Sequence, residues 1–353
     1  MGGVLVVNAG STSLKLYVVS DAAESTRLRD FGEVDPAGLD CVAHRVVHGG
    51  DRFRDPVVVD DDVHAELRRL EPLAPLHNAP ALRELAAARE RFPGLPHVAV
   101  FDTAFHATIP PAAATYAVPR QWREEWGIRR YGFHGLSVAW SVERAPRVVA
   151  RPADGLRMVV CHLGGGSSVT AVAGGRSVDT TMGFTPNEGV PMATRSGSVD
   201  PGAIVAVLRR SGMDADALDH ALNQESGMRG LAGGDGLELE LERRAADGDE
   251  AARLAVDVYV HRVAGAVAAM AAAAGGLDVI VFTAGIGERS PHVREGVCGR
   301  LAFLGVEVDP ALNAGHGDRD IAAASPPVRV AVIRAREELV AARVAREVIG
   351  RGG

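Results

Sequence analysis

Four polar side chains lie where a buried strand or an irregular loop would deliver them into a cleft. Arg45 sits in "AHRVVHGGD" (43–51), where alternation puts Arg45 and Val47 on one face of a short strand. Asp102 closes the apolar run in "VAVFDTAFH" (98–106), and a carboxylate at the end of a buried α/β strand points into the crevice where ligands bind. His134 lies between an aromatic residue and a glycine in "RRYGFHGLS" (129–137). Arg195 belongs to "DTTMGFTPNEGVPMATRSGSVDPG" (179–202), which has almost no regular periodicity. A long irregular segment inside a compact domain is usually a functional loop. Each residue also has a plainer reading. His134 would be a hydrogen-bonded structural histidine, the arginines surface or salt-bridge residues, and Asp102 a helix N-cap. Together, however, they supply what phosphoryl transfer needs: cations on the moving group, oxygen ligands for a metal, and glycine loops around a polyphosphate.

Such loops are present. "VLVVNAGSTSLKLYVV" (4–19) places Gly10, Ser11, Thr12 and Ser13 between two apolar runs, with Asn8 before them and Lys15 after. It is either a tight turn, for which Gly, Ser and Asn are the usual residues, or a loop whose N–H groups and hydroxyls hold a phosphate. The pattern recurs in outline as "MVVCHLGGGSSVTAV" (158–172). Two copies of one supersecondary unit suggest duplicated domains whose turns close on a shared ligand; the alternative is two unrelated Gly/Ser hairpins. A third turn, "VIVFTAGIGERS" (279–290), carries Gly285 and Gly287 but no further glycine, so it is a poor dinucleotide fingerprint. Neither a G-x-x-x-x-G-K-[ST] loop nor the H-R-D and D-F-G set of protein kinases occurs.

The elements that must position these groups read as α/β. Strand-like runs fall at 4–8, 14–20, 97–102, 158–163, 168–173, 279–284 and 328–333. Helix-like runs fall between them, at 61–70, 79–92, 201–211, 250–274, 291–304 and 337–349. Alternating strands and helices indicate an α/β architecture, and the opening hairpin predicts mixed sheets. The length of 353 residues favours two domains. A formal net charge of -7 argues against nucleic acid as a partner. The three cysteines, Cys41, Cys161 and Cys298, lack zinc spacing and read as free thiols in a reducing compartment. No signal peptide is expected, and the alanine-rich stretch at 263–277 reads as a buried helix rather than a membrane span. A cytoplasmic location follows from these features.

The strings "NAGSTSLK", "HRVVHGG", "APLHNAP", "FDTAFH", "YGFHG", "HLGGGSS", "MGFTPNEG", "TRSGSVDPG" and "FTAGIGE", in that order over nearly the whole chain, resemble the acetate kinases. That resemblance implies two duplicated actin/sugar-kinase-like (ribonuclease H-like) α/β domains with mixed sheets and an interdomain cleft. The first would comprise 1–103 plus 338–353, completed by the C-terminal helix, and the second 104–337. It also implies ATP and acetate as substrates, Mg²⁺ (or Mn²⁺) as the metal, and a homodimer.

Residue by residue, the resemblance puts Asn8 and Glu337 at the metal. Ser11, Ser13 and Lys15 would form one phosphate loop, and His162, Leu163, Gly164, Gly165, Gly166 and Ser167 the second. Asp235, Gly236 and Leu237, with Gly285, Ile286, Gly287 and Arg289, would make the nucleoside side. Arg45 and Arg195 would grip the carboxylate and the phosphoryl group, with His134 stabilising the latter in flight. Asp102 would orient the reacting groups, and Val47, Leu76, Phe133 and Pro186 would surround the methyl group. A carboxylate nucleophile is already ionised and needs no general base. The obstacle is bringing two anions together, which arginines, a histidine donor and a divalent cation offset.

The chain departs from the family pattern mainly on the nucleotide side. Gly165 stands where asparagine is usual, Leu237 where an arginine is expected, and Arg289 where asparagine is common. "RAR" precedes Glu337, and Val138 replaces a frequent histidine. The altered nucleotide side leaves pyrophosphate as an alternative donor. Propionate stands as an alternative acceptor because one methylene in an apolar pocket is weakly discriminated, although Val47 narrows the pocket towards acetate. A catalytically idle nucleotide-binding scaffold would predict loss of Arg45, Asp102, His134 or Arg195, and all four are present.

Overall fold

The computed structural model describes residues 2–9, 14–71 and 75–350, the side chains of 75–77 excepted. Strands β1 (Gly3–Ala9), β2 (Leu14–Val19), β3 (Ser25–Leu28), β4 (Leu39–Val46), β5 (Val57–Val58) and β6 (His97–Phe101) form one sheet, in the order β3-β2-β1-β4-β6-β5. Strands β7 (Arg157–Leu163), β8 (Ser167–Ala173), β9 (Arg176–Thr180), β10 (Val279–Thr283), β11 (Arg319–Asp320) and β12 (Arg329–Val332) form the other, in the order β11-β12-β10-β7-β8-β9.

The two sheets share one topology. In the first, β1, β2 and β3 make an antiparallel meander, β1, β4 and β6 run parallel, and β5 lies antiparallel on β6. In the second, β7, β8 and β9 make the meander, β7, β10 and β12 run parallel, and β11 lies antiparallel on β12. The Gly/Ser echo of the sequence is thus the visible part of a six-strand duplication. Parallel strands covered on both faces read as unbroken apolar runs, and β6 and β10 are buried at every position.

Two helices fill the space between the sheets. The C-terminal helix Glu337–Gly350 returns to the first sheet and buries Val340, Ala341, Ala342 and Ala345 against Val4, Val6, Ala43 and Val98. The helix Gly135–Val148 packs Leu136 into that cluster, while its Val138 and Ala145 meet Met158, Val160, Val279 and Val281 of the second sheet. The helix Glu250–Ala273 has the length and composition of a membrane span. One face of it, including Ala252, Tyr259, Val263 and Val267, lies in the core of the second sheet with Val159 and Val169, as in a core helix of a soluble fold. The three cysteines are free and buried.

The structure adds elements absent from the sequence expectations. Strands β3, β5, β9 and β11 are short or polar edges with no apolar period to betray them. The helix expected at 79–92 starts at Pro75, and the one expected at 291–304 ends at Arg300, followed by a separate tight turn.

Several histidines are buried and held neutral. His44 Nε2 lies 2.9 Å from His97 Nδ1, and burial drives His44 well below its ordinary pKa of 6.5. Burial also lowers His48 and His106 to about 4. Between pH 6.5 and 4 the unfolded chain therefore binds protons that the native chain refuses, and stability falls as pH falls through that window. Each such histidine costs up to about 3 kcal/mol by the bottom of the window. Urea melts at descending pH should show progressive loss below pH 6.5; a flat profile would contradict neutral burial.

Candidate active site

Strands β1, β4 and β6 run parallel, so their C-terminal ends fall along one edge of the sheet, the place where α/β folds bind ligands. Asn8 lies near the end of β1 opposite Lys15, Arg45 near the end of β4, and Asp102 just beyond β6. Arg45 Nε and Nη2 donate to Asp102 Oδ1 and Oδ2 at 2.9 and 2.5 Å. Its Nη1 donates to Asn8 Oδ1 at 3.0 Å, and Glu337 Oε2 lies 3.7 Å from Nε. Asn8 Nδ2 in turn donates to Glu337 Oε2 at 3.2 Å. Burial would lower the Arg45 pKa, but the charges of Asp102 and Glu337 outweigh it and hold the guanidinium protonated. Burial raises the Asp102 carboxyl above its usual pKa although Arg45 opposes it, and both of its oxygens accept from that one guanidinium. The helix-cap reading of Asp102 is set aside by these contacts.

The opposing wall comes from the second sheet. β7 delivers His162, the turn Gly164, Gly165 and Gly166 follows, and β8 begins with Ser167 and Ser168. His134 is the N-cap of the Gly135–Val148 helix and adopts a left-handed backbone, φ 59° and ψ 24°. That conformation is uncommon and costly for a residue with a Cβ, and strained residues of this kind cluster at functional sites. It is supported by Gly135, whose N–H donates to the Asp102 carbonyl at 3.0 Å, so close that a Cβ would come within 2.1 Å of that oxygen. The His134 ring stacks on His162 at 3.9 Å, and its Nδ1 lies 3.0 Å from Ser168 Oγ. Burial, then His162, Arg45 and Arg195, keep His134 neutral.

Arg195 reaches the same point. The position a Cβ would take on Gly166 is 3.4 Å from His134 Nε2 and 3.5 Å from Arg195 Nη1. Arg195 Nη1 also donates to the Pro186 carbonyl at 3.2 Å. Val47 and Phe133 are buried in one apolar cluster with Met182 and Met192.

The cleft between the walls has a volume of about 380 Å³ and is lined by Asn8, Lys15, Arg45, His134, His162, Gly164, Gly165, Gly166, Gly285 and Glu337 from among the expected residues. Tyr17, Glu288 and Glu338 also line it and were missed. Tyr17 stands two residues after Lys15 on one strand, so the period of β2 could have found it. Met182 and Met192 lie in the irregular loop already singled out.

Other expected residues sit elsewhere. Leu163 is buried in the core, so only its backbone could serve a ligand. Ser167 Oγ braces the turn, bonding to the Gly164 backbone and lying 2.9 Å from the Tyr259 hydroxyl. Ile286 packs partly against the core, Gly287 is buried, and Arg289 turns its Nε onto the Gly285 carbonyl at 3.0 Å. The loop carrying Asp235, Gly236 and Leu237 lies against the Arg195 segment, since a Cβ on Gly236 would come within 2.2 Å of the Ala193 carbonyl. Leu237 itself is exposed. Ser11, Ser13 and the Leu76 side chain lie outside the described residues.

Residues 33–343 match the family described as the Acetokinase family. An acetate kinase of Heliobacterium modesticaldum is 46% identical over 305 residues, covering 86% of this chain and 77% of that protein. A propionate kinase structure from Francisella tularensis superposes with a TM-score of 0.90 at 32% identity, over 98% of this chain and 99% of the other. The acetate kinase structure from Porphyromonas gingivalis gives 0.88 at 33% identity, over 99% and 100%. Duplicated six-stranded α/β domains, a cleft that holds Lys15, Arg45 and a glycine turn, and these relatives together define a phosphotransferase with a carboxyl group as acceptor. The chain belongs to the acetokinase family.

Proposed function

We propose that the chain transfers the γ-phosphoryl group of ATP to acetate, reversibly and in line, giving acetyl phosphate and ADP. The observation that carries this reading is the convergence of His134 Nε2 and Arg195 Nη1 on the Gly166 turn, across a cleft whose other wall holds Arg45. The turn would take the transferring phosphate, the two guanidiniums would neutralise donor and acceptor, and Asp102 would aim Arg45. Val47, Phe133, Met182 and Met192 are suited to an apolar methyl group.

Asn8 and Glu337 offer oxygen donors, and among the described residues no group of three or more His, Cys, Asp or Glu side chains could hold a metal. This sparse, hard donor set fits Mg²⁺, or Mn²⁺ in its place, which keeps several waters and leans on substrate phosphates. When bound, the ion would neutralise phosphate charge. We further propose a cytoplasmic homodimer, with the domains divided at 1–103 plus 338–353 and 104–337.

Propionate is the second acceptor to consider, since a propionate kinase is among the structural relatives. One methylene changes discrimination by only about 1–3 kcal/mol. The exposed Leu237 and Arg289, the latter bonded back to the Gly285 carbonyl, make pyrophosphate the donor to test beside ATP. Purified protein with Mg²⁺ should release ADP from ATP only when a carboxylate is added, with higher kcat/KM for acetate than for propionate. Carboxylate-independent release, or turnover with pyrophosphate alone, would contradict the assignment.

Gly165 supplies a further test. Nothing lies within 4 Å of a Cβ built there, so Gly165→Asn should fit without strain and add a donor beside the phosphates. A new hydrogen bond worth about 0.5–1.5 kcal/mol net predicts a KM for ATP lower by about twofold to tenfold. Steady-state kinetics at saturating acetate would check this.

A further inference from the structure

His134 and His162 are held by two serines in a crossed arrangement. Their rings stack at 3.9 Å with an interplanar angle of 19°. His162 Nδ1 lies 2.8 Å from Ser137 Oγ, and Ser137 belongs to the helix that His134 caps. His134 Nδ1 lies 3.0 Å from Ser168 Oγ, and Ser168 is the cross-strand partner of His162 in β7 and β8. Each histidine is therefore tied to a serine from the other's side of the site, Ser137 one turn along the helix that His134 caps and Ser168 across the strand pair from His162. Both serines are fully buried.

A neutral imidazole has one donor nitrogen and one acceptor. If Nδ1 carried the proton of His134, it would donate to Ser168, and Nε2 would present a lone pair toward Gly166. A phosphoryl oxygen at that turn would be repelled. If the Ser168 hydroxyl donates to Nδ1, Nε2 carries the proton and acts beside Arg195 as a second donor. The partner of the far nitrogen decides which nitrogen faces the chemistry.

We propose that Ser168 is a positioning residue for His134, its hydroxyl donating to Nδ1 and so keeping Nε2 protonated toward the transferring phosphoryl group. The stack on His162 sets the ring plane, and the Ser168 hydroxyl sets the tautomer. A histidine placed this way donates from its first contact with the phosphoryl group, without rotating or exchanging protons during transfer. The inference rests on the proposed reaction for its kinetic consequence, while the tautomer is a property of the protein alone.

The test combines long-range ¹H–¹⁵N correlation spectra of the His134 imidazole with steady-state kinetics of the same samples. Wild-type protein should show the Nε2–H tautomer without substrate. Ser168→Ala should show a mixture or the Nδ1–H form, with kcat lower by about 10- to 100-fold, the usual cost of losing a partner that orients a working histidine, and KM values within about twofold. Ser168→Thr, which retains a hydroxyl, should keep the wild-type tautomer and recover most of kcat. An Nδ1–H wild type overturns the inference even if Ser168→Ala fails to fold. An unchanged tautomer and kcat in Ser168→Ala would do the same, as would a folded Ser168→Thr that behaves like alanine. Wild-type protein without acyl-phosphate formation would count against the proposed reaction, and the spectra would still decide the tautomer.

Discussion

Replacing Arg195 by alanine should lower kcat by about 10³- to 10⁵-fold, the range found when an arginine acting on a transferring phosphoryl group is removed. Burial presses the Arg195 pKa downward, yet a guanidinium stays charged at neutral pH. Its charge is therefore concentrated in a poorly hydrated place, where electrostatic stabilisation counts most. The fold should survive the truncation, because backbone contacts hold the segment. The Arg195 carbonyl accepts from Met192 N at 3.0 Å, Ser196 N donates to the Leu222 carbonyl at 3.0 Å, and Met228 N donates to the Met192 carbonyl at 2.9 Å. Kinetics and a thermal melt of the variant check both halves. A loss below tenfold would remove Arg195 from the transfer step.

Asp102→Ala should be damaging in a different way. The Asp102 side chain is 1% exposed and that of Arg45 13%, so deleting the carboxylate removes both close acceptors of a poorly hydrated guanidinium. Among the described residues that leaves it only Glu337, 3.7 Å away, and Asn8. Breaking such a pair costs about 3–5 kcal/mol, because the remaining charge is buried without its partner. Replacing both partners by apolar residues of similar volume is often close to neutral. Arg45→Met combined with Asp102→Leu should therefore recover part of the stability, the remainder being lost because Glu337 and Asn8 give up Arg45, and none of the activity. Urea melts and turnover on the wild type, the single variant and the double variant would separate the two effects. Activity in the double variant would contradict the role given to Arg45, and a double variant no more stable than Asp102→Ala would contradict the pairing argument.

What could be read from the chain follows from the physics of each feature. Buried strands are unbroken apolar runs, so β1, β6, β7 and β10 were legible, and so was the glycine turn that follows β7. The glycines after β10, expected to form a third turn, instead belong to the short helix Ala284–Arg289, and the turn expected after β1 lies outside the described residues. Asp102 was legible because it ends such a run. Edge strands such as Ser25–Leu28 and Arg319–Asp320 are short and polar, and nothing in their composition distinguishes them from loop. Partnerships were the hardest to foresee. Arg45 and Asp102 are 57 residues apart, and Asn8 and Glu337 are 329 apart; local patterns carry no information about which ends meet. The same holds for Ser168 on His134 and for Met182 and Met192 beside Phe133. Resemblance to a family supplied the roles of the principal residues, while the supporting contacts needed the fold.

The most direct test is acyl-phosphate formation, trapped as the hydroxamate with hydroxylamine, by purified protein supplied with ATP, acetate and Mg²⁺. The account predicts acetyl hydroxamate from the wild type and almost none from Arg195→Ala. Absence of hydroxamate from well-folded wild-type protein, with acetate or propionate and with ATP or pyrophosphate, would contradict it.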